Sequence, residues 1–372
     1  MNGNLQTYRA RLTVLGPVFV GSGNELSKKE YVFLNRLQTV GIVDMQKFYR
    51  MVSQKGLRGK FEDFMLDSRA KRGLSDWIKE NGISLQEIRP YLRYEEDSGV
   101  TAIQRGTPLH IMECVKDPYG MPYIPGSSIK GMLRTILLNG EIAENPEKYR
   151  RERMSLRGAV ENSSFRPNRN QFLQAEKRQV EEARFYRLTR NEKRRSDAVN
   201  DELSGMIVSD SAPLKIKDLV LCQKVDRRPD GTEKKLNLLR ECIRPGTKID
   251  FTITLEKNIC TVTRDEILHS AEVFNGVYYD CFLRAFRGID RPLPNEVYLG
   301  GGAGFVSKTF IYSLMGRQEG LDTTVKIFRN TGVPEQHKHR RDYEYGASPH
   351  IVKCTNYQGQ SVPMGRCRLE IF

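Results

Sequence analysis

Residues 123–135, YIPGSSIKGMLRT, read as a tight turn feeding directly into a helix with cations on one face. Pro125 and Gly126 stop the preceding segment, and Ser127 or Ser128 is placed to cap the helix. Ile129, Leu133, Ile136 and Leu137 form an apolar stripe at helical spacing, while Lys130 and Arg134 stand at i and i+4 on the opposite side. Free N–H groups at a helix start, beside two cations, favour a phosphate. The spacing G-x-x-x-x-G-K-[ST] is absent, so this is not a nucleotide-binding loop. Two readings stay open here: a contact to a phosphate backbone, or an ordinary capped helix whose basic face is solvated.

Strand patterns surround this helix. YRARLTVL (8–15) alternates Ala10, Leu12 and Val14 with Arg9, Arg11 and Thr13, which predicts one buried and one wet face. Further strands are predicted at 31–43, at PLHIMECV (108–115) and at SGMIVSDSAPL (204–214), the last closing a first domain. Asp44 is placed to cap a short helix over 45–53. In the second half, Asp230-Gly231 marks a hairpin tip, and KIDFTITL (248–255) is a half-buried strand. TRDEILHSAEVFNGVYYDCFLRAF (263–286) is a helix with Thr263 and Glu266 at capping-box spacing, and CRLEIF is a final strand. The pattern predicts an α+β protein of two ferredoxin-like, or RRM-like, modules over 1–215 and 216–372, with helical insertions near 55–106 and 145–202.

The charge points to a polyanion. Sixty Lys and Arg against 46 Asp and Glu give +14 across 372 residues, with a sequence pI near 9.4. The excess is concentrated in 145–202, a stretch poor in aliphatics that reads as a solvated or partly disordered helical arm. Phe165, Phe172, Phe185 and Tyr186 within it are candidates for stacking on unpaired bases, or for anchoring the arm. No apolar run approaches the ~20 residues of a membrane span, the opening residues lead directly into a strand pattern, and the expected location is the cytoplasm. Seven cysteines scattered singly argue against a disulfide framework or zinc ribbon and suit small core residues.

A second Gly-rich element, LGGGAGFVSKT (299–309), carries Gly300, Gly301, Gly302 and Gly304, followed by Lys308. Four glycines permit close approach to a phosphate chain, and the spacing does not fit G-x-G-x-x-G. Catalytic constellations are thin. His337 and His339 form an H-x-H pair near Asp342, read here as a solvated loop, and His110 and His269 are expected to be structural. No nucleophile elbow, H-E-x-x-H or zinc-deaminase signature appears, and neither a metal nor a cofactor is expected.

Together these elements resemble the RAMP superfamily of CRISPR proteins. YIPGSSIKGMLRT is similar to its helix motif, LGGGAGFVSKT to its C-terminal Gly-rich loop, and SGMIVSDSAPL to the Asp-ended strand after the first motif. The segments LGPVFVGSGNEL (15–26) and MGRCRLEIF (364–372) are most similar to the branch that supplies the fifth subunit of the type III-A Csm complex. The resemblance implies a non-catalytic subunit at the head of that complex. Such a subunit binds the 3′ portion of the CRISPR RNA (crRNA), a single-stranded RNA, contacts the adjacent backbone RAMP subunit and other Csm subunits, and is needed for crRNA 3′-end maturation by recruited host nucleases. Carried over by motif, the implied phosphate or ribose contacts are Gly21, Ser22 and Gly23, then Ser127, Ser128, Lys130 and Arg134, then Gly301, Gly302, Gly304 and Lys308. The alternative is a Cas6-type metal-independent endoribonuclease that processes pre-crRNA, although 44–54 lacks the histidine expected of its general acid or base. A protein-binding scaffold for an acidic partner is a third reading.

Overall fold

The computed structural model describes residues 4–34, 38–67, 72–99, 109–163, 171–337 and 339–372. The chain begins with β1 (Leu5–Val14), β2 (Gly21–Leu26), β3 (Tyr31–Leu34) and β4 (Thr39–Val43), then α1 (Met45–Gln54), α2 (Arg58–Leu66), α3 (Leu74–Glu80) and α4 (Leu85–Ile88). There follow β5 (Leu92–Asp97), β6 (His110–Cys114), α5 (Gly126–Glu144), α6 (Arg150–Asn162), α7 (Gln174–Phe185) and β7 (Met206–Val208). The remainder runs through β8 (Leu219–Arg227), β9 (Glu233–Ile243), β10 (Lys248–Glu256), α8 (Arg264–Cys281), β11 (Glu296–Tyr298), α9 (Ile311–Asn330), α10 (Asp342–Tyr345), β12 (Val352–Tyr357), β13 (Gln360–Pro363) and β14 (Arg366–Ile371).

The strands form two sheets. The first is antiparallel, in the order β11-β14-β1-β10-β7. Its register aligns Leu12 with Ile249 on one side and Leu369 on the other, so the buried face of each strand lies on one side of the sheet. Helices α5 and α8 pack together beneath that face, and Ile129, Leu133, Ile136, Ile267, Ala271 and Phe274 join the principal core. The path β1-α5-β7-β10-α8-β14 is the βαββαβ path of a ferredoxin-like unit. It is threaded by both ends of the chain. The second sheet, β2-β6-β9-β8-β5-β4-β3 with β12 and β13 added beside β8, follows a different path and also draws on both halves. A division at 215/216 therefore cuts across both sheets, because the sequence shows strands but not which distant strands pair.

Other local expectations are met or amended. The Asp44 carboxylate accepts the Lys47 N–H at 3.1 Å, the Thr263 hydroxyl accepts the Glu266 N–H at 3.1 Å, and the β8–β9 hairpin turns at Asp230-Gly231. The single strand expected over 31–43 is a hairpin of β3 and β4. The 55–106 insertion is helical up to Tyr91 and then contributes β5 to the second sheet, and its helices enclose a satellite core around Phe48, Phe61, Phe64 and Trp77.

Among the described residues the basic arm is seated on the core along one side, while most of 189–199 stays exposed. Tyr149, Leu156, Val160, Val180 and Phe185 reach the principal core, Tyr149 from the turn before α6 and the others from the inward faces of α6 and α7. Arg184 is buried and donates to Glu202 at 2.5 Å and Glu266 at 2.7 Å, joining the arm to the start of α8. Phe185 lies beneath Arg134 and Arg184, so it is not free to stack on a base; Phe165 lies outside the described residues. No helix among the described residues is long and apolar enough to cross a membrane.

Candidate nucleic-acid interface

The Gly-rich loop leaves β11 and lies against the segment that leads into β2. Gly301 donates its N–H to the Phe19 carbonyl at 2.6 Å, and the two residues form an isolated antiparallel bridge. This approach requires glycine at the preceding position. Gly300 has φ +79°, and a Cβ there would stand 2.2 Å from the Phe19 oxygen. Gly302 has φ +88°, and its Cβ would meet Arg240 Nη1 at 2.5 Å. Gly304 has φ +96°, and a Cβ there would make only an ordinary contact with Lys353 Cγ at 3.8 Å. The Ser307 hydroxyl donates to the Ala303 carbonyl at 2.9 Å and closes the turn, leaving Lys308 exposed.

The other end of the Phe19 bridge carries the first predicted group. A Cβ on Gly21 would meet the Phe19 ring at 2.8 Å, so this glycine serves close packing, whereas Gly23, at φ +92°, faces open space. The Ser22 hydroxyl donates to the Glu113 carbonyl at 3.3 Å and accepts the Asn24 N–H at 3.1 Å. Gly21–Gly23 and Gly301–Gly304 are thus brought to one place, although 280 positions separate Gly21 from Gly301.

Beneath them lies a set of cations that the motifs did not single out. The register pairs Arg240 with Cys222, Lys224 with Thr355 and Asp226 with Lys353, which places Arg240, Lys224 and Lys353 on one face of the second sheet. Arg240 lies over the Phe19 ring, 5.2 Å from its centroid. Lys353 is paired with Asp226 at 2.8 Å. Arg240, Lys224 and Lys308 form no ion pair among the described residues. Burial holds the Lys224 ammonium below its ordinary value, with Lys353 and Arg240 adding repulsion; burial and Arg240 do the same to Lys308. Like charges gathered beside Asp226, whose carboxylate is already paired with Lys353, suit an anion. Strand alternation alone would have put Lys224 and Arg240 each on a face, but not on neighbouring strands of one sheet or under the loop.

The helix motif is elsewhere. Gly126 packs against β7, where a Cβ would stand 2.2 Å from the Val208 oxygen, at one edge of the first sheet; the Gly-rich loop follows β11 at the other. Neither serine caps α5. Its first residue is Gly126, whose N–H is taken by the Asp210 carboxylate at 2.7 Å, and Pro125 is the flanking residue. Asp210, at the end of the β7 segment, therefore occupies the position proposed for a phosphate. Arg134 donates to Asp201 at 2.5 Å and Glu181 at 3.3 Å and lies 4.2 Å above Phe185, so its guanidinium is committed inside the fold. Ser127 is exposed; Ser128 and Lys130 are half-buried, and burial lowers the Lys130 ammonium from its ordinary value. The i, i+4 spacing gave the face and not what covers it: here the arm does.

The histidines divide similarly. His110 pairs with Glu25 at 3.3 Å and His269 with Glu144 at 2.5 Å, both at the surface. The loop at His337 and His339 is not simply solvated, because His339 and His350 converge on the fully buried Asp342.

The fold and this glycine-lined basic face define a class, and the chain belongs to the RAMP superfamily, whose family model matches residues 11–305. Among its relatives is a Mycobacterium tuberculosis (strain ATCC 25618 / H37Rv) protein named CRISPR system Cms protein Csm5, 28% identical over 395 residues that cover 100% of this chain and 99% of the relative. A Streptococcus thermophilus protein of the same name is 29% identical over 317 residues, covering 83% of this chain and 81% of the relative. Two solved structures share the fold. One is a chain of a cryo-EM structure of a Csm-crRNA-target RNA ternary complex of a type III-A CRISPR-Cas system, with TM-score 0.64, 18% identity and coverage of 98% of this chain and 100% of that one. The other, a crystal structure of T. onnurineus Csm5, has TM-score 0.58, 18% identity and coverage of 96% and 99%. The resemblance to this branch read from the two chain ends agrees with these relatives.

Proposed function

We propose that this chain is a non-catalytic crRNA-binding subunit of a type III-A Csm complex that holds the 3′ portion of the crRNA at the head of the assembly. The observation that carries the proposal is the set Arg240, Lys224 and Lys308, without ion pairs among the described residues, gathered beside Gly301–Gly304 and the Phe19 ring that Gly21 packs against. Glycines let a phosphate chain come close to the backbone, and the cations neutralise it. Neither reads base edges, so binding is expected to be tolerant of sequence, as a guide RNA of variable sequence requires. The Csm5 names of the relatives support a place in such a complex; the proposal puts the chain in the cytoplasm, beside a backbone RAMP subunit and other Csm subunits. Its part in 3′-end maturation is then to hold the RNA where recruited host nucleases trim it. Assembling the complex with wild-type chain or with the Arg240→Ala/Lys308→Ala double variant, and sizing the crRNA by its 3′ ends, tests this. Longer, heterogeneous 3′ ends with the variant are expected; mature ends of unchanged length in a complex that contains the variant would refute it.

A further inference from the structure

We propose that His339, Asp342 and His350 form a binding site for a divalent transition metal of the zinc class. The Asp342 carboxylate, on the first residue of α10, is fully buried; one oxygen lies 3.1 Å from His339 Nδ1, and the other is hydrogen-bonded to His350 Nδ1. The three donor atoms lie within 4.8 Å of one another. Zinc bonds nitrogen and carboxylate oxygen at about 2.0–2.2 Å, which sets tetrahedral donors roughly 3.3 Å apart, so small side-chain rotations close the three on an ion.

Charge supports the assignment independently of geometry. Among the described residues no lysine or arginine pairs with Asp342, whose only ion-pair partners are the two imidazoles. A dication held between the two imidazoles would supply this buried carboxylate with charge as well as a bond. Two nitrogens and one oxygen suit zinc, cobalt or nickel better than calcium or magnesium. The rings are already held, His339 against Phe328 at 4.5 Å and His350 stacked on Tyr345 at 5.4 Å between centroids. His339 also lines an open cavity of about 600 Å³, which gives the ion and a fourth, water ligand a way in.

The expected role is structural. Phe328, against His339, also packs edge-on to Phe305 at 5.3 Å, within the Gly-rich loop, so a metal closing the 339–350 segment braces that loop from behind.

The test is to strip the purified full-length chain with chelator, reload it with Zn²⁺ or Co²⁺ and desalt it. About one metal per chain is expected, with a visible d–d spectrum for Co²⁺ that Zn²⁺ abolishes and a Tm that rises with Zn²⁺. His339→Ala, at the partly exposed corner, is expected to remain folded yet lose the metal and the Tm response, and Asp342→Asn should lose both as well. A folded wild-type chain that retains no metal, or Co²⁺ bands unchanged in His339→Ala, would overturn the proposal. Thiolate-to-cobalt bands would overturn it too, by placing the metal on cysteines.

Discussion

Arg134 and Arg240 offer a paired perturbation, because each replacement removes one arginine charge while the structural settings are opposed. Replacing Arg134 by alanine removes hydrogen bonds to Asp201 and Glu181 and the cation over Phe185. The side chain is 24% exposed, so solvent screens part of the gain. One surviving charge-assisted bond at about 1–2 kcal/mol, with a cation–π contact at about 0.5–1, gives a loss of roughly 1.5–3 kcal/mol. For a chain of 372 residues that corresponds to a Tm lower by about 2–4 °C. Arg240→Met removes a half-buried cation with no carboxylate partner while keeping contact with the Phe19 ring, so Tm is expected to hold or rise slightly. The order reverses for RNA. In fluorescence-anisotropy titrations with single-stranded RNA over a salt series, losing one phosphate contact lowers the slope of log K against log salt by about 0.7. Arg240→Met should show that decrease, and Arg134→Ala should keep the wild-type slope at temperatures where it is folded. The reasoning fails if Arg134→Ala reduces the slope without loss of Tm, or if Arg240→Met leaves the slope unchanged.

Two further outcomes follow from the same structure. Gly300→Ala places a Cβ 2.2 Å from the Phe19 oxygen at positive φ and should cost about 2–4 kcal/mol in thermal or denaturant unfolding, whereas Gly304→Ala, with room around it, should cost only about 1 kcal/mol; equal losses would show that contact with Phe19 does not matter. Glu96 is buried, with neither carboxylate oxygen hydrogen-bonded among the described residues, and burial, then the neighbouring Glu241 carboxylate, push its acid well above the ordinary 4.5. The folded state therefore binds a proton that the unfolded state releases, and this contribution to stability is present below pH 4.5 and is lost as pH rises through the raised value. Glu96→Gln should raise Tm at neutral pH by an amount that shrinks as pH falls towards 4.5; a gap independent of pH would remove the carboxyl as its cause.

Legibility of the sequence tracked the range of the interactions. Alternation in β1, β10 and β14, the stripes of α5 and α8 and the caps at Asp44 and Thr263 depend on neighbours a few residues apart, and these were readable. The cap on α5 comes from Asp210, 84 positions away, and so was assigned wrongly to a nearby serine. The arm's polar composition reads as solvated, yet five well-spaced residues suffice to seat it once α5 and α9 supply the other side. Of the predicted contact residues, the two glycine loops converge through the Phe19 bridge, and the α5 cations do not join them. Arg240 and Lys224 carried no motif; only strand register reveals them.

The central claim is that this chain holds RNA by its backbone and does not cut it. The most direct measurement incubates the purified chain with labelled repeat–spacer RNA, with Mg²⁺ or with EDTA, and reads binding and cleavage from the same samples across a salt series. Salt-sensitive binding with intact RNA is the expected result, and Arg240→Met should weaken it. A discrete cut that survives repurification and disappears with a point mutation of this chain would contradict the claim and assign it to a pre-crRNA-processing endoribonuclease.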